Sequence, residues 1–402
     1  MAHFTLTEDQ HDRAIGCILA AAVGDALGAS YTFQSPWTGD VEMCASPVGP
    51  WKRGEWTDDT SMTVPVLEAL TLGMDPLLKH VQGRAARRWV AWSLWAPDIG
   101  NTTSVVLCSV ADAYNVEDPD VPDAQVAEAC TCAAETHVAN ASREAGRATW
   151  SGNASLMRTH ALALAYLHPE ASTHELAHAA RAWSSLTHAD HDARDACVLL
   201  TLAVRAAILT GTPDLRVGLP LLGATRRSVW ERRIAAVEGK HPREVDMNAW
   251  SVGALQAAWA AITYERDRDS ASNILQRTLE TAVRAGGDTD TVANIAGALA
   301  GAAYGFSALP RAWVKDIFGW PGLRAPGLRD LAERVLLLHS NLHNAKAREL
   351  IVAAREEGSG ARVGGNVDAA VHEQPQPQEG RDGAPDLSGQ PAWSDPPPAY
   401  EA

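Results

Sequence analysis

The sequence predicts an all-α protein, with one large multi-helix domain over about residues 10 to 350. Three observations lead there. Apolar residues recur at helical spacing in segment after segment. No stretch shows a sustained strand alternation. Small residues crowd several helices, as in Asp12–Gly28 (DRAIGCILAAAVGDALG) and Ala285–Gly305 (AGGDTDTVANIAGALAGAAYG). A hydrophobic fraction of 46% over 402 residues is enough for a sizeable core. The formal charge of -15 argues against nucleic-acid binding through a basic face.

Taken in order, Thr7 can cap a turn at Glu8 to Gln10, and Asp12–Gly28 reads as a helix. Asp25, near its C-terminal end, opposes the helix dipole and so calls for a reason. That reason is a bond to a neighbouring loop or a part in a metal or substrate site. A Pro- and Gly-containing loop, Tyr31–Glu55, leads to Trp56-Thr57-Asp58-Asp59-Thr60 and an apolar helix from Ser61 to Leu72. Pro76–Trp95 is a helix with a solvated basic face at Lys79, Arg84, Arg87 and Arg88. The turn Asp98-Ile99-Gly100-Asn101-Thr102-Thr103 opens a helix to about Ala113, and Ala124–Ala141 is helical.

Ser151-Gly152-Asn153-Ala154-Ser155 opens a helix from Leu156 to Leu167. Its first turn, with Ser155 and Arg158, can receive a phosphate; the plainer reading is a cap and a structural arginine. Ala171–Ser185 and Ala193–Thr210 are helical. Between them His188, Asp190, His191 and Asp192 hint at zinc, but nothing completes a His/Cys set, so zinc is not expected there. Gly211–Asp246 is mixed, with one helix. Helices at Ala249–Ile262 and Ser272–Ala285 deliver the chain to Gly286-Gly287-Asp288-Thr289-Asp290-Thr291, where Asp288 is suited to cap the next helix. Two helices follow Gly305, the second near Gly327–Leu342.

From about residue 355 to 402 the composition turns to Gly, Pro, Gln and acids, which predicts a disordered tail. Pro397-Pro398-Ala399-Tyr400 within it has the form of a WW-domain ligand. Six sparse cysteines, no secretory pattern at the N-terminus and no bilayer-length apolar run lead us to expect a soluble, cytoplasmic, reduced protein.

Two entrances carry the chemistry. Thr57, Asp58 and Asp59 stand at one helix start, and Asp288, Asp290 and Thr291 at another. Each alone reads as a cap and a dipole partner. If they meet, bare carboxylates repel one another, whereas one or two divalent cations turn them into an oxygen-rich magnesium or manganese site. Two close metals can orient water and hold substrate oxygens. Neither G-x-G-x-x-G nor G-x-x-x-x-G-K occurs, so neither a dinucleotide oxidoreductase nor a P-loop NTPase is expected, and a zincin is not expected either.

Six pieces, in order, resemble the ADP-ribosylglycohydrolase family, the proteins similar to dinitrogenase reductase-activating glycohydrolase. They are Gly24–Gly28, Trp56–Met62, Asp98–Thr102, Gly152–Arg158, Thr187-His188 and Gly286–Thr291. The resemblance implies a compact all-α fold, two Mg2+ (or Mn2+) ions and removal of ADP-ribose from a modified side chain. It implies Thr57, Asp58, Asp59, Asp288, Asp290 and Thr291 as metal ligands. It implies Asp98, with Asp59 and Asp290, as the catalytic carboxylates, and Asp25, Gly100, Asn101, Gly152, Asn153, Ser155 and His188 as substrate-binding residues. The D-I-G-N-T-T setting of Asp98 favours an arginine linkage over serine or O-acetyl. The partner is an ADP-ribosylated protein or a small ADP-ribose conjugate, handled by a monomer without nucleic acid or membrane. The chain departs from the family twice. Thr32 stands where many members carry a glutamate after the G-D-A-x-G motif, and Ala154 replaces the last glycine of G-N-G. Both substitutions leave open a metal-dependent ADP-ribose binder with weak or no catalysis.

Overall fold

The computed structural model describes residues 4–145, 152–268 and 273–360, with side chains described up to 342. The expectations for 361–402, including the Pro397–Tyr400 motif, lie outside the described residues, as does Ser151. A compact unit spans Met1–Val352. The backbone of the last long helix stays helical to Gly360, beyond the composition change near residue 354.

The fold is all-α, as predicted. In chain order the helices are α1 Glu8–Gly28, α2 Asp58–Leu70, α3 Lys79–Ser93, α4 Asn101–Ala113, α5 Asp123–Ala145, α6 Leu156–Thr159, α7 Thr173–Ser185, α8 His191–Thr210, α9 Ala224–Ala235, α10 Ser251–Arg266, α11 Ile274–Val283, α12 Thr289–Tyr304, α13 Arg311–Asp316 and α14 Ala325–Gly360. Thr7 starts α1 with a capping box closed by Gln10. The helix expected over Leu156–Leu167 is instead one α-turn, α6, followed by a 3-10 segment, His160–Tyr166. That segment is buried along its whole length and packs against α2 and α8, so its sequence carries no polar face to set a 3.6-residue period. The small sheet was not foreseen. Phe318–Gly319 (β1) pairs antiparallel with Leu323–Arg324 (β2). Two residues per strand are too few for an alternation to register. This hairpin props the loop before α2: the Trp56 N–H donates to the Phe318 carbonyl at 3.0 Å, and its indole N–H donates to the Trp320 carbonyl at 3.2 Å.

At the centre α1 and α12 run antiparallel, nearly backbone to backbone. Both are buried over most of their length. A Cβ at Gly24 would sit 2.1 Å from the Ala293 carbonyl oxygen, one at Gly297 2.2 Å from that of Ala20, and one at Gly301 2.2 Å from that of Gly16. Ordinary helix pairs sit 8–10 Å apart; side chains at these positions would force such spacing. The approach continues to the end of α1, where a Cβ at Gly28 would meet the Asp290 Cα at 2.5 Å. Thr289 seals the junction by donating its hydroxyl to the Gly28 carbonyl at 2.9 Å. So the C-terminal end of α1 is held against the N-terminal turn of α12.

This contact predicts a sharp positional effect. Gly297→Ala should destabilise the fold by about 1–3 kcal/mol through overpacking, measured by urea denaturation. Gly223→Ala is the control, because a Cβ there meets nothing within 4 Å; it should cost less than about 1 kcal/mol, through the preference for glycine over alanine at the N-cap of α9.

Candidate active site

Asp25 explains the acid at the wrong end of a helix. It is fully buried, and its carboxylate accepts from the Thr57 N–H (2.9 Å), the Thr57 hydroxyl (2.8 Å), the Thr60 N–H (2.9 Å) and the Thr60 hydroxyl (2.6 Å). These donors belong to the first turn of α2, whose N–H groups have no partner within the helix. Asp25 is thus a clamp that docks α2 on α1. Asp25, expected to bind substrate, has both oxygens engaged and no exposed surface, and it reaches the acidic cluster through Thr57. Burial, then the charge of Asp290, works against the donors and pushes its carboxyl up to about 7.

Thr57 is the N-cap of α2, so Asp58 and Asp59 fall in the first turn, as predicted. The second entrance is built by a glycine turn. Gly286 and Gly287 have φ of +74° and +65°, a region costly for residues with a Cβ. Asn248 braces the turn, donating to the Gly286 carbonyl at 2.7 Å and accepting from the Asp288 N–H at 3.0 Å. Asp288 occupies the N-cap position of α12, but its side chain makes no capping bond, contrary to expectation. Its carboxylate instead accepts from the Asn153 amide at 2.7 Å. Asn248 is the residue that sequence reasoning missed; nothing in Asp246-Met247-Asn248 marks it locally, and only its contacts reveal it.

The two entrances meet. The Thr291 hydroxyl lies 3.3 Å from Asp59 Oδ2, across 232 residues of sequence. The Thr57 hydroxyl is 3.2 Å from the same oxygen. Asp290 Oδ1 accepts from the Thr32 hydroxyl at 2.7 Å and from the Thr291 N–H at 3.0 Å. Asp59 Oδ1 is buried without a partner. Asp58, Asp59, Asp288 and Asp290 are all buried, and no ion pair among the described residues involves them. Burial first, and then neighbouring carboxylates, holds the carboxyls of Asp58, Asp59 and Asp288 well above the ordinary range. Asp98, half-buried before α4, is raised by burial and by the charge of Asp290, and its own charge reaches Asp58. Among the described residues no three His, Cys, Asp or Glu side chains converge as a ready-made ion cage. The donors gathered here are carboxylates and threonine hydroxyls, hard oxygens of the kind magnesium and manganese prefer.

The facing wall is the Gly152 loop. Gly152 pairs in an isolated bridge with Trp250, and Ser251 donates its hydroxyl to the Gly152 carbonyl at 2.8 Å. Asn153 reaches the Asp288 carboxylate, so this wall touches the acidic cluster directly. Gly100 and Asn101 are exposed at the start of α4, and a Cβ at Gly100 would sit 3.9 Å from that of Ala154. Ser155, expected to bind substrate, is fully buried; it accepts from the Ser184 hydroxyl at 2.9 Å and lies 3.5 Å from Cys197 Sγ. It anchors the loop from behind. Arg158, a candidate phosphate receiver, is likewise buried. His188 is buried beside the loop with its Nε2 unpartnered.

In the His188–Asp192 string the acids serve a helix end and ion pairs. Asp190 caps α8 by accepting from the Asp192 and Ala193 N–H groups at 2.9 and 3.0 Å, and Asp192 pairs with Arg226 and Arg233. The string His174-Glu175-Leu176-Ala177-His178 has the H-E-x-x-H form, although a zincin is not expected. All three polar residues are exposed on α7, where Glu175 takes part in the Ser172 cap.

Comparison with known proteins places this geometry. The family model described as ADP-ribosylglycohydrolase matches residues 6–345. The chain is 27% identical to ADP-ribosylarginine hydrolase Tri1 of Pseudomonas putida (strain GB-1) over 329 residues, 78% of this chain and 76% of that protein. It is 28% identical to ADP-ribosyl-[dinitrogen reductase] glycohydrolase of Rhodospirillum rubrum, over 76% of this chain and 90% of that one. With human ADP-ribosylhydrolase ARH3 it shares 29% identity over 42% of this chain and 54% of the other. A solved structure titled ADP-ribosylglycohydrolase-related protein complex aligns with a TM-score of 0.60 and 26% identity, covering 83% of this chain and all of that one. A family match over nearly the whole helical unit, on a fold that brings these two helix entrances together, makes the chain a member of the ADP-ribosylglycohydrolase family of hydrolases.

Proposed function

We propose that this chain removes ADP-ribose from a modified side chain, with arginine the favoured linkage, at a site for two Mg2+ or Mn2+ ions. The observation that carries the reading is the meeting of the two Thr/Asp entrances at Asp59, whose Oδ2 lies against Thr57 and Thr291 while its Oδ1 has no partner. Thr57, Asp58, Asp59, Asp288, Asp290 and Thr291 would hold the cations. When bound, such ions supply charge neutralisation, orient substrate oxygens and lower the pKa of water.

The chain's own residues do the rest. Asp25 accepts the Thr57 hydroxyl hydrogen bond, which leaves that oxygen a lone pair for a cation besides the one facing the Asp59 N–H. Thr32 and the Thr291 N–H fix one oxygen of Asp290, and Asn153 fixes Asp288. Asp98, half-buried beside Asp58 and next to the exposed Gly100 and Asn101, is the candidate to take a proton from the attacking water or to orient a guanidinium leaving group. Gly152, Asn153 and His188 form the wall for ADP-ribose. The name of the Pseudomonas relative supports the arginine linkage, and six free cysteines support a cytoplasmic setting. No described helix is long and apolar enough to cross a membrane.

Thr32 favours one second reading, a metal-dependent ADP-ribose binder. Its hydroxyl occupies the site edge without the charge of a carboxylate. A hydrolysis panel decides. Arginine-, serine- and O-acetyl-linked ADP-ribose are offered with Mg2+, with Mn2+ and with chelator. Release fastest from the arginine linkage, and only with metal, is expected. Tight ADP-ribose binding by calorimetry with no release from any linkage would establish the binder instead.

The raised carboxyls make a further prediction. A folded-state pKa above the unfolded value means that the folded protein binds more protons, so stability falls as pH rises through that window. For Asp25 the window runs from 3.8 to about 7. In chelator the melting temperature should therefore fall between pH 5 and 8, and divalent cation should remove most of that fall. Asp59→Asn should raise the melting temperature in chelator, abolish the cation-dependent rise, and lower hydrolysis by at least about 100-fold. A cation response unchanged in Asp59→Asn would show that the ions bind elsewhere.

A further inference from the structure

Arg158 is a buried cation without a carboxylate. It is 1% exposed, and no ion pair among the described residues includes it. Its guanidinium lies over the Trp89 ring at 4.2 Å, donates to the Ala154 carbonyl at 3.0 Å and donates to the Thr187 hydroxyl oxygen at 2.6 Å. Burial lowers its pKa only to about 10, so it stays charged at neutral pH.

The bond to Thr187 decides what happens next. A guanidinium can only donate, so Thr187 Oγ1 is an acceptor there and its single proton must go elsewhere. Thr187 is fully buried, and the acceptor in reach is His188 Nδ1, at 2.7 Å. A proton on Nδ1 would leave the Thr187 hydroxyl hydrogen buried with nothing to receive it, which folded proteins avoid. Nδ1 is therefore the acceptor. Burial, Arg158 and His137 all disfavour a charged ring, so the remaining proton of a neutral imidazole sits on Nε2. His188 is 1% exposed, and Nε2 finds no partner among the described residues. Gly152 borders it: a Cβ at Gly152 would lie 3.8 Å from Nε2.

We propose that Arg158, acting through Thr187, fixes His188 as an Nε2–H donor for a phosphoryl oxygen of the ligand held by the Gly152 loop. Arg158 and Thr187 are positioning residues; neither touches the ligand. The chemistry of the occupant follows from the relay. The unpaired arginine charge polarises Thr187 and the ring in one direction, which strengthens the outermost donor. A diphosphate oxygen accepts and never donates, so it matches a lone N–H in this field. The identity of the ligand rests on the ADP-ribose reading above; the tautomer does not.

The test separates the two. Protein labelled with 15N histidine, free of ligand, is examined by long-range 15N–1H correlation, and the His188 signals are assigned by their loss in His188→Gln. The wild type should show Nε2 protonated and Nδ1 bare. Thr187→Val should mix the tautomers and raise the Kd for both ADP-ribose and inorganic pyrophosphate about tenfold. Thr187→Ser should restore both readouts. Circular dichroism confirms that each variant is folded. An Nδ1–H or doubly protonated ring in the wild type overturns the proposal, as does a tautomer unmoved by Thr187→Val. A pyrophosphate Kd unmoved by Thr187→Val overturns it too. If the relay and pyrophosphate results hold while no linkage is hydrolysed, the relay stands and the hydrolase reading fails.

Discussion

The site depends on how closely two helices approach. Gly24, Gly28 and Ala20 on α1 receive Ala293, Asp290 and Gly297 on α12 with no side chain between the backbones. The same end of α1 carries Asp25, which holds the first turn of α2. One helix end therefore fixes two helix starts. Because α2 and α12 both begin there, both direct their unsatisfied N–H groups and positive dipole ends toward one region. That offsets part of the cost of gathering Asp58, Asp59, Asp288 and Asp290 in a buried place. It does not offset all of it, since Asp59 keeps an oxygen without a partner.

The surrounding polar groups make sense as a response to that residual cost. Asp25 is wrapped by four donors from Thr57 and Thr60, Asp290 by Thr32 and its neighbour's N–H, and Asp288 by Asn153. At Asp25 and Asp288 each donor favours an ionised carboxylate while burial favours a neutral one. Carboxylates gathered in this way, raised by burial and by one another, are a pattern of functional sites more than of cores. Thr32 fits this logic. A glutamate at its position would add another negative charge beside Asp290, whereas the threonine donates a hydrogen bond to it. In the proposed metal site the substitution would favour a cluster that folds more readily without a cation and attracts it less strongly.

Much of this was legible in the sequence because it follows short-range rules. Thr57 before Asp58-Asp59, the glycine pair before Asp288, and the small-residue faces of α1 and α12 are local patterns with local causes. What escaped was set by partners distant in sequence. Asp25 reads as an anomaly until Thr57 and Thr60 are seen against it. Ser155 and Arg158 lie in a helix's first turn, which locally suits a phosphate as well as a cap and a structural arginine; the turn is only four residues long and both side chains are buried. Asn248 has no local signature at all; its importance lies in bridging Gly286, Asp288 and Asn153. The exposed His174 and His178 show the reverse case, a correct motif string with no chemistry behind it.

The placement of Arg158 completes the electrostatic argument. Its charge reaches Asp58, and a direct ion pair would be the obvious way to relieve both groups. Such a pair would remove Asp58 from any cation site. The structure instead occupies the guanidinium with the Trp89 face, the Ala154 carbonyl and the Thr187 hydroxyl. An aromatic ring and neutral oxygens stabilise a cation without cancelling its field. On the proposed reading this leaves the acids free for a cation, and the proposed relay carries the arginine's field toward His188. Positive and negative groups buried in one molecule are kept from neutralising each other. On that reading, a phosphorylated sugar between the walls would meet a donor on one side and an oxygen-rich, cation-binding face on the other.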